Sequence, residues 1–184
     1  MPVEPRQALF PNDLHTFLTR RRAVFTPPLH PGDTDPVAPN ISVPGCPFCD
    51  IVAERLPASV VYADDLVEAF LDIRPITTGH VLVVPRSHAG GLADLPERAG
   101  RAMFTAAQRM AAALRGSKVR CDGINFFLAD GTVAGQEVEH VHLHVVPRFA
   151  GDGFRLSANF LSPDRADLDA TAELIRGALD RLPG

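Results

Sequence analysis

Fourteen residues, Gly135 to Arg148, constrain the fold more than any others: G-Q-E-V-E-H-V-H-L-H-V-V-P-R. Three of the chain's seven histidines fall within five positions, His140, His142 and His144. Between and after them stand Val141, Leu143, Val145 and Val146. β-Branched and aliphatic residues in such alternation favour a strand, whose side chains point to opposite faces with a period of two. Three imidazoles then share one face, and Val141, Leu143 and Val145 enter a core on the other. Gly135 permits a turn before the strand, and Pro147 is expected to end regular pairing after it.

A face with three imidazoles suits a three-histidine metal site. It equally suits nucleophilic and acid–base chemistry at an anion, because imidazole is neutral enough to attack near pH 7 and charged enough to bind. A surface strand with chance histidines is the plain alternative, and the strict alternation argues against it.

Composition narrows the setting. The chain has 184 residues, 46% apolar and 22% charged, which reads as one globular domain with an appendage. A chain of this size buries roughly 70% of its unfolded surface and needs no disulfide staples. The net charge of −4 supplies no basic field for nucleic acid. No apolar run reaches the roughly 20 residues of a membrane span, and the first 25 residues lack the apolar core of a signal peptide. Three cysteines is an odd count, which argues against a disulfide framework and for a cytoplasmic location.

Residues 1–45 hold nine of the seventeen prolines and read as an extended N-terminal extension and linker. Within them Leu14, Phe17, Leu18, Arg21 and Phe25 form one helical stripe, with Asn12 as a candidate cap. Arg20 to Arg22 are either a phosphate contact or a solvated charge run. Cys46-Pro47-Phe48-Cys49 opens the folded body, residues 46–150. Such a C-x-x-C means redox chemistry, metal or packing. Two thiolates are half of a zinc site, so two more ligands must come from afar. Ile51 to Leu56 reads as a short helix stopped by Pro57. Val60 to Tyr62 and Val67 to Leu71 read as strands around a turn, and Gly79 to Arg86 as a central strand. Asp94 to Arg115 reads as the long helix, with Asp94 as its cap, Glu97 completing a capping box and Gly116 ending it. Its inward stripe is Ala99, Met103, Ala106, Met110 and Ala113. Ile124 to Ala129 reads as a strand joined by the loop 130–135 to the histidine strand. That loop is expected to aim backbone N–H groups at an anion. Residues 151–184 supply a loop and a last helix, started by Ser162-Pro163, that complete the domain. The architecture is α+β: an antiparallel sheet of about five strands with one long helix packed on it.

Gln136, Val138, His140, His142, His144, Pro147 and Arg148 resemble, position by position, the signature of the histidine triad (HIT) superfamily of nucleotide hydrolases and transferases. The resemblance spans residues 46–149 and is best to the small members with a C-x-x-C near their start. It implies the HIT-like fold and a homodimer whose sheets join across the interface. In zinc-bearing relatives the C-x-x-C is completed by a histidine after a V-V-P-R-S segment and by the first triad histidine. These map onto His88 and His140, giving a structural zinc site of Cys46, Cys49, His88 and His140; a reduced cysteine pair packed in the core is the alternative.

The resemblance further implies His142 as nucleophile on the α-phosphorus of a purine nucleotide phosphoramidate or dinucleoside polyphosphate. Its ring is to be oriented by a backbone carbonyl of a neighbouring strand. His144 and the Gly135–Gln136 loop, through backbone N–H and the Gln136 amide, are to stabilise the phosphoryl oxygens. Asp72 is to hold ribose, or else serves as a strand-end turn residue, and Ile73 is to touch the base. His80 helps place the triad or a phosphate oxygen, or is structural. Two departures from the family pattern stand out. Ala129 replaces an Asn or Gln, and Glu137, beside the phosphate subsite, replaces a Ser or Thr and brings a carboxylate expected to repel phosphate or shift leaving-group preference. A phosphorylase or nucleotidyltransferase, and a nucleotide-binding regulatory protein with little turnover, remain the rival functions.

Overall fold

The computed structural model describes residues 40–182. The N-terminal stripe around Leu14–Phe25 and most of the proline-rich linker lie outside the described residues. The described chain forms two compact units that meet at Asp152/Gly153.

In the first unit, five antiparallel strands form one sheet: β1 (Val60–Ala63), β2 (Val67–Leu71), β3 (Val81–Pro85), β4 (Gly123–Phe127) and β5 (Leu143–Arg148), in the order β1-β2-β3-β5-β4. The β1–β2 turn is fixed by Asp64, whose Oδ1 accepts from the backbone N–H of Leu66 and Val67, both at 2.9 Å. A 20-residue helix, α2 (Glu97–Gly116), connects β3 to β4, and β5 returns to fill the place between them.

Alternation along the strands sorts the two faces. Val67, Ala69, Val81, Val83, Val141 and Val145 pack against Met103, Ala107, Met110 and Leu114 of α2. On the opposite face Phe70, Leu82 and Val84 pack against Phe48, Cys49 and Val52 of α1 (Pro47–Val52). The pairing Phe70↔Leu82, Leu82↔His144 and His144↔Phe127 sets one row of side chains straight across the sheet on this second face. That row is the floor on which the candidate site is built.

Several boundaries differ from the sequence reading. α1 begins at Pro47 rather than Ile51, because proline favours the first helical position and Cys46 serves as the cap residue. The cap of α2 is Pro96 and not Asp94: a residue before proline is driven out of the helical region, so Leu95 cannot be the first turn. The helix closes at Ser117, whose hydroxyl donates to the Leu114 carbonyl. Leu114 occupies the inward place expected for Ala113, since 3.6 residues per turn carry the stripe around. Pro147 lies inside β5 rather than after it. β3 stops pairing at Val145, so Pro147 has a hydrogen-bonded neighbour strand on one side only, where a missing N–H is tolerated.

The second unit holds α3 (Arg165–Leu179), capped by Asp164, whose side chain accepts from the Asp167 N–H at 2.9 Å, in place of the expected Ser162 start.

Candidate active site and metal cluster

The hydrogen-bonded ladder of β5 begins only at Leu143, so His140 and His142 sit on an extended lead-in held by the Val141 N–H to the Ala89 carbonyl (2.8 Å). Alternation still governs it. Val141 is buried against α2, while His140 and His142 make near-perpendicular ring contacts with Phe48 on the other side, at 5.8 and 5.2 Å between centroids.

His140 turns away from the cavity into the start of the domain. Cys46 Sγ and Cys49 Sγ lie 3.4 and 3.6 Å from its Nδ1, and Cys49 Sγ lies 3.4 Å from Nδ1 of His88. A tetrahedral zinc with the usual bond lengths places S and N ligands about 3.5 Å apart, so the spacings fit the ion. All four ligand atoms lie within 4.8 Å of one another. The Nε2 of His140 donates to the Pro85 carbonyl at 3.0 Å, which fixes the tautomer that leaves Nδ1 a free lone pair. Burial lowers its pKa to about 4, keeping the ring in the neutral, ligating form. Burial also pushes the Cys46 thiol up in the metal-free state. A cluster of two cysteines and two histidines with this geometry is a structural zinc site.

His142 is nearly buried, and its Nδ1 donates to the carbonyl of His140 at 2.8 Å. The acceptor is therefore two residues back on the same segment and not on a neighbouring strand. Nε2 keeps its lone pair. His144 follows, 4.8 Å from His142 between ring centroids, stacked on Phe127 at 4.0 Å and 5°.

His80 is buried beneath His144. The Ile76 N–H donates to His80 Nδ1 at 3.3 Å, so the neutral ring carries its hydrogen on Nε2 and donates it to His144 Nδ1 at 2.9 Å. His144 is thereby left with its hydrogen on Nε2. Burial, reinforced by His142 and His80, lowers the His144 pKa to about 4, so this ring acts as a neutral donor rather than a cation. Burial lowers His80 too, against the pull of Asp72, whose Oδ2 lies 3.4 Å from Nδ1.

The histidines open into a cavity of about 700 Å³. Its walls are largely apolar: Phe48 and Ile51 from α1, Phe70 and Leu82 from the sheet, Ile76 and Phe127. Asp72, Ile73, His80, Gly135 and Glu137 also line it, as do His142 and His144. Asp72 Oδ1 is used by the Arg74 N–H at 2.7 Å, while Ile73 is 93% exposed at the rim.

Two expectations about the loop before the triad need correction. Gly135, at φ 91°, closes a short 3₁₀ turn, Thr132–Ala134. Its N–H donates to Thr132 O and that of Gln136 to Gly131 O, so these two groups are not offered to an anion. The Gln136 amide is likewise engaged: Nε2 donates to Gly90 O (2.7 Å) and Val138 O (3.0 Å), and Oε1 accepts from the Gly131 N–H (2.7 Å). Gln136 shapes the loop. Ala129 is buried and is not among the residues lining the cavity. Arg148 is structural, clamped bidentately on Asp152 at 2.6 and 2.9 Å. Phe48, Phe127 and Arg74 were not singled out from sequence. Consecutive phenylalanines in β4 carry no alternation that marks a face, and only the register with β5 places Phe127 against His144.

A family model described as the HIT domain matches residues 53–151. An uncharacterized HIT-like protein of Mycobacterium tuberculosis is 40% identical over 134 residues, covering 73% of this chain and 92% of the relative. Among solved structures, a zinc-bound histidine triad family protein from Mycobacterium smegmatis is 40% identical with a TM-score of 0.59, covering 73% of this chain and 97% of that one. A histidine triad nucleotide-binding protein from Candida albicans is 25% identical with a TM-score of 0.68, covering 75% and 99%.

Proposed function

Because this chain belongs to the HIT domain family, we propose that it is a nucleotide hydrolase that cleaves phosphoramidates or dinucleoside polyphosphates at the α-phosphorus through a nucleotidyl-histidine. The observation that carries the reading is the fixed tautomer of His142. Nδ1 is tied to the His140 carbonyl, and Nε2 faces a cavity of nucleotide size. Nε2 attacks the α-phosphorus, forming an N–P bond while the bond to the leaving oxygen or nitrogen breaks with its electron pair; a leaving nitrogen takes up a proton from solvent as it departs, so that it leaves as the amine. Water then attacks phosphorus, the N–P bond breaks, and the nucleoside monophosphate leaves as water's proton passes to solvent. The His144 Nε2–H supplies a hydrogen bond to a phosphoryl oxygen, preorganised by His80. Asp72 meets the ribose, and Ile73 with the apolar wall meets a purine base.

Zinc on Cys46, Cys49, His88 and His140 holds α1 to the lead-in of β5 and takes no part in the reaction. A reducing cytoplasm suits Cys46 and Cys49, which form no disulfide. No helix among the described residues is long and apolar enough to cross a membrane. We also infer a homodimer. β4 is an edge strand, and beside it Phe104 of α2 is 52% exposed while touching Phe126, an apolar edge that a second copy would cover.

The test is incubation with adenosine phosphoramidate and with a diadenosine polyphosphate, a quench in base, and mass spectrometry for a nucleotide adduct on His142, with His142→Ala as control. Adduct and released AMP support the hydrolase. Transfer to phosphate in place of water indicates a phosphorylase, and tight nucleotide binding with neither adduct nor product indicates a regulatory binding protein.

A further inference from the structure

A nucleotide brings negative charge into a cavity whose walls are mostly apolar. His144 offers one neutral N–H, and the N–H groups of Gly135 and Gln136 are bound within their own turn. Among the described residues that line the cavity, Arg74 is the one that carries a permanent positive charge. It stands directly after Asp72 and Ile73 at the exit of β2, 63 positions before Glu137 in sequence. Its Nη2 donates to Glu137 Oε2 from the loop that leads into the triad, so an ion pair joins the two sides of the cavity rim. Both side chains are open to solvent, at 76% and 69%. A guanidinium has five N–H donors in a planar fork, so a carboxylate that occupies Nη2 leaves the others for a second oxyanion. Pairing with Arg74 also offsets the repulsion that a lone Glu137 carboxylate exerts on phosphate.

We propose that Arg74, held at the cavity rim by Glu137, is a specificity-determining residue that binds the phosphates beyond the α-phosphate. It thereby selects phosphoanhydrides such as dinucleoside polyphosphates over phosphoramidates with neutral or cationic leaving groups. The proposal rests on reading the cavity as a nucleotide site. Arg74 makes the contact; Glu137 is a positioning residue that acts through it. A charge-assisted, forked contact of this kind is worth about tenfold in affinity or rate.

The experiment has two arms. In the first, the His142→Ala protein, which cannot form the adduct, is titrated with AMP, ADP and ATP. Affinity rises with each added phosphate, and Arg74→Gln flattens the series; a series that is flat with Arg74 present, or unchanged by Arg74→Gln, overturns the proposal. In the second, the ratio of kcat/KM for diadenosine tetraphosphate to that for adenosine phosphoramidate falls about tenfold in Arg74→Gln. It is partly restored in Arg74→Lys and falls by a smaller factor in Glu137→Gln. An unchanged ratio, or a preference for amidates with cationic amines that Glu137→Gln abolishes, overturns it. If neither substrate turns over, the hydrolase reading fails while the titration still decides the role of Arg74.

Discussion

His140 serves two sites with two parts of one residue. Its ring closes the metal cluster, and its carbonyl fixes the tautomer of His142. Removing the proposed nucleophile while leaving that frame intact isolates the chemistry, so His142→Ala should lose the adduct and at least about 10³-fold in turnover, the scale expected when an activated nucleophile is deleted. Substrate turnover within tenfold of the starting protein would exclude the assignment. His144 makes a separate claim. Its ring should titrate with a midpoint of about 4 by NMR, against about 6.5 for a free imidazole; a midpoint near 6.5 would remove the neutral-donor role. The same shift sets a pH dependence of stability. Between about 6.5 and 4 the unfolded chain takes up a proton at this position and the folded chain does not, so stability is present above the window and declines as pH falls through it. Urea midpoints at pH 7 and pH 5 should show the decline. His144→Gln should shrink it without abolishing it, because burial lowers His80 as well.

At the scale of elements, α1 is six residues long, too short to persist alone, and it supplies Phe48 and Ile51 to the cavity wall. The cysteines that flank Phe48 tie it to His88 and His140. Chelation, or Cys49→Ala, should therefore remove about one zinc per chain and lower the melting temperature by roughly 5–15 °C, the equivalent of a few kcal/mol in a chain of this size. Equal melting with and without a chelator, at confirmed metal loss, would show that packing alone holds α1. The start of β3 depends on Gly79 for a different reason. Its φ is +91°, and an added Cβ would lie 2.9 Å from Val119 Cγ1 and 3.1 Å from Leu114 Cδ2. Gly79→Ala should cost about 1–3 kcal/mol and misplace His80 next to it, measurable as a lowered urea midpoint.

For the whole molecule, the sheet formed by the described residues has two edges, β1 and β4, and beside β4 the half-exposed Phe104 of α2 packs against Phe126. Light scattering should give a dimer at tens of micromolar, and Phe104→Asp should shift it toward monomer. A monomer before substitution would dismiss the β4 interface. The row Phe70, Leu82, His144, Phe127 shows why the site needs the assembled sheet: four of its five strands each contribute one residue to it.

What the sequence by itself determined was short-range. The alternation of imidazoles with aliphatics, the turn at Asp64, the strand at Val81–Pro85 and the stripe of α2 follow from side-chain periodicity and local turn chemistry, and both are written in neighbouring residues. The resemblance carried by Gln136 to Arg148 extended that reading to the four metal ligands, which the fold brings together. Only the tertiary structure decided the rest. It chose the His140 carbonyl as the partner of His142, turned the Gln136 amide into the loop and used the Gly135 and Gln136 N–H groups there. It also set Phe127 on His144 and joined Arg74 to Glu137. These contacts depend on strand register and on loops meeting across the sheet. Periodicity says which face a side chain takes and not which distant residue it will meet there.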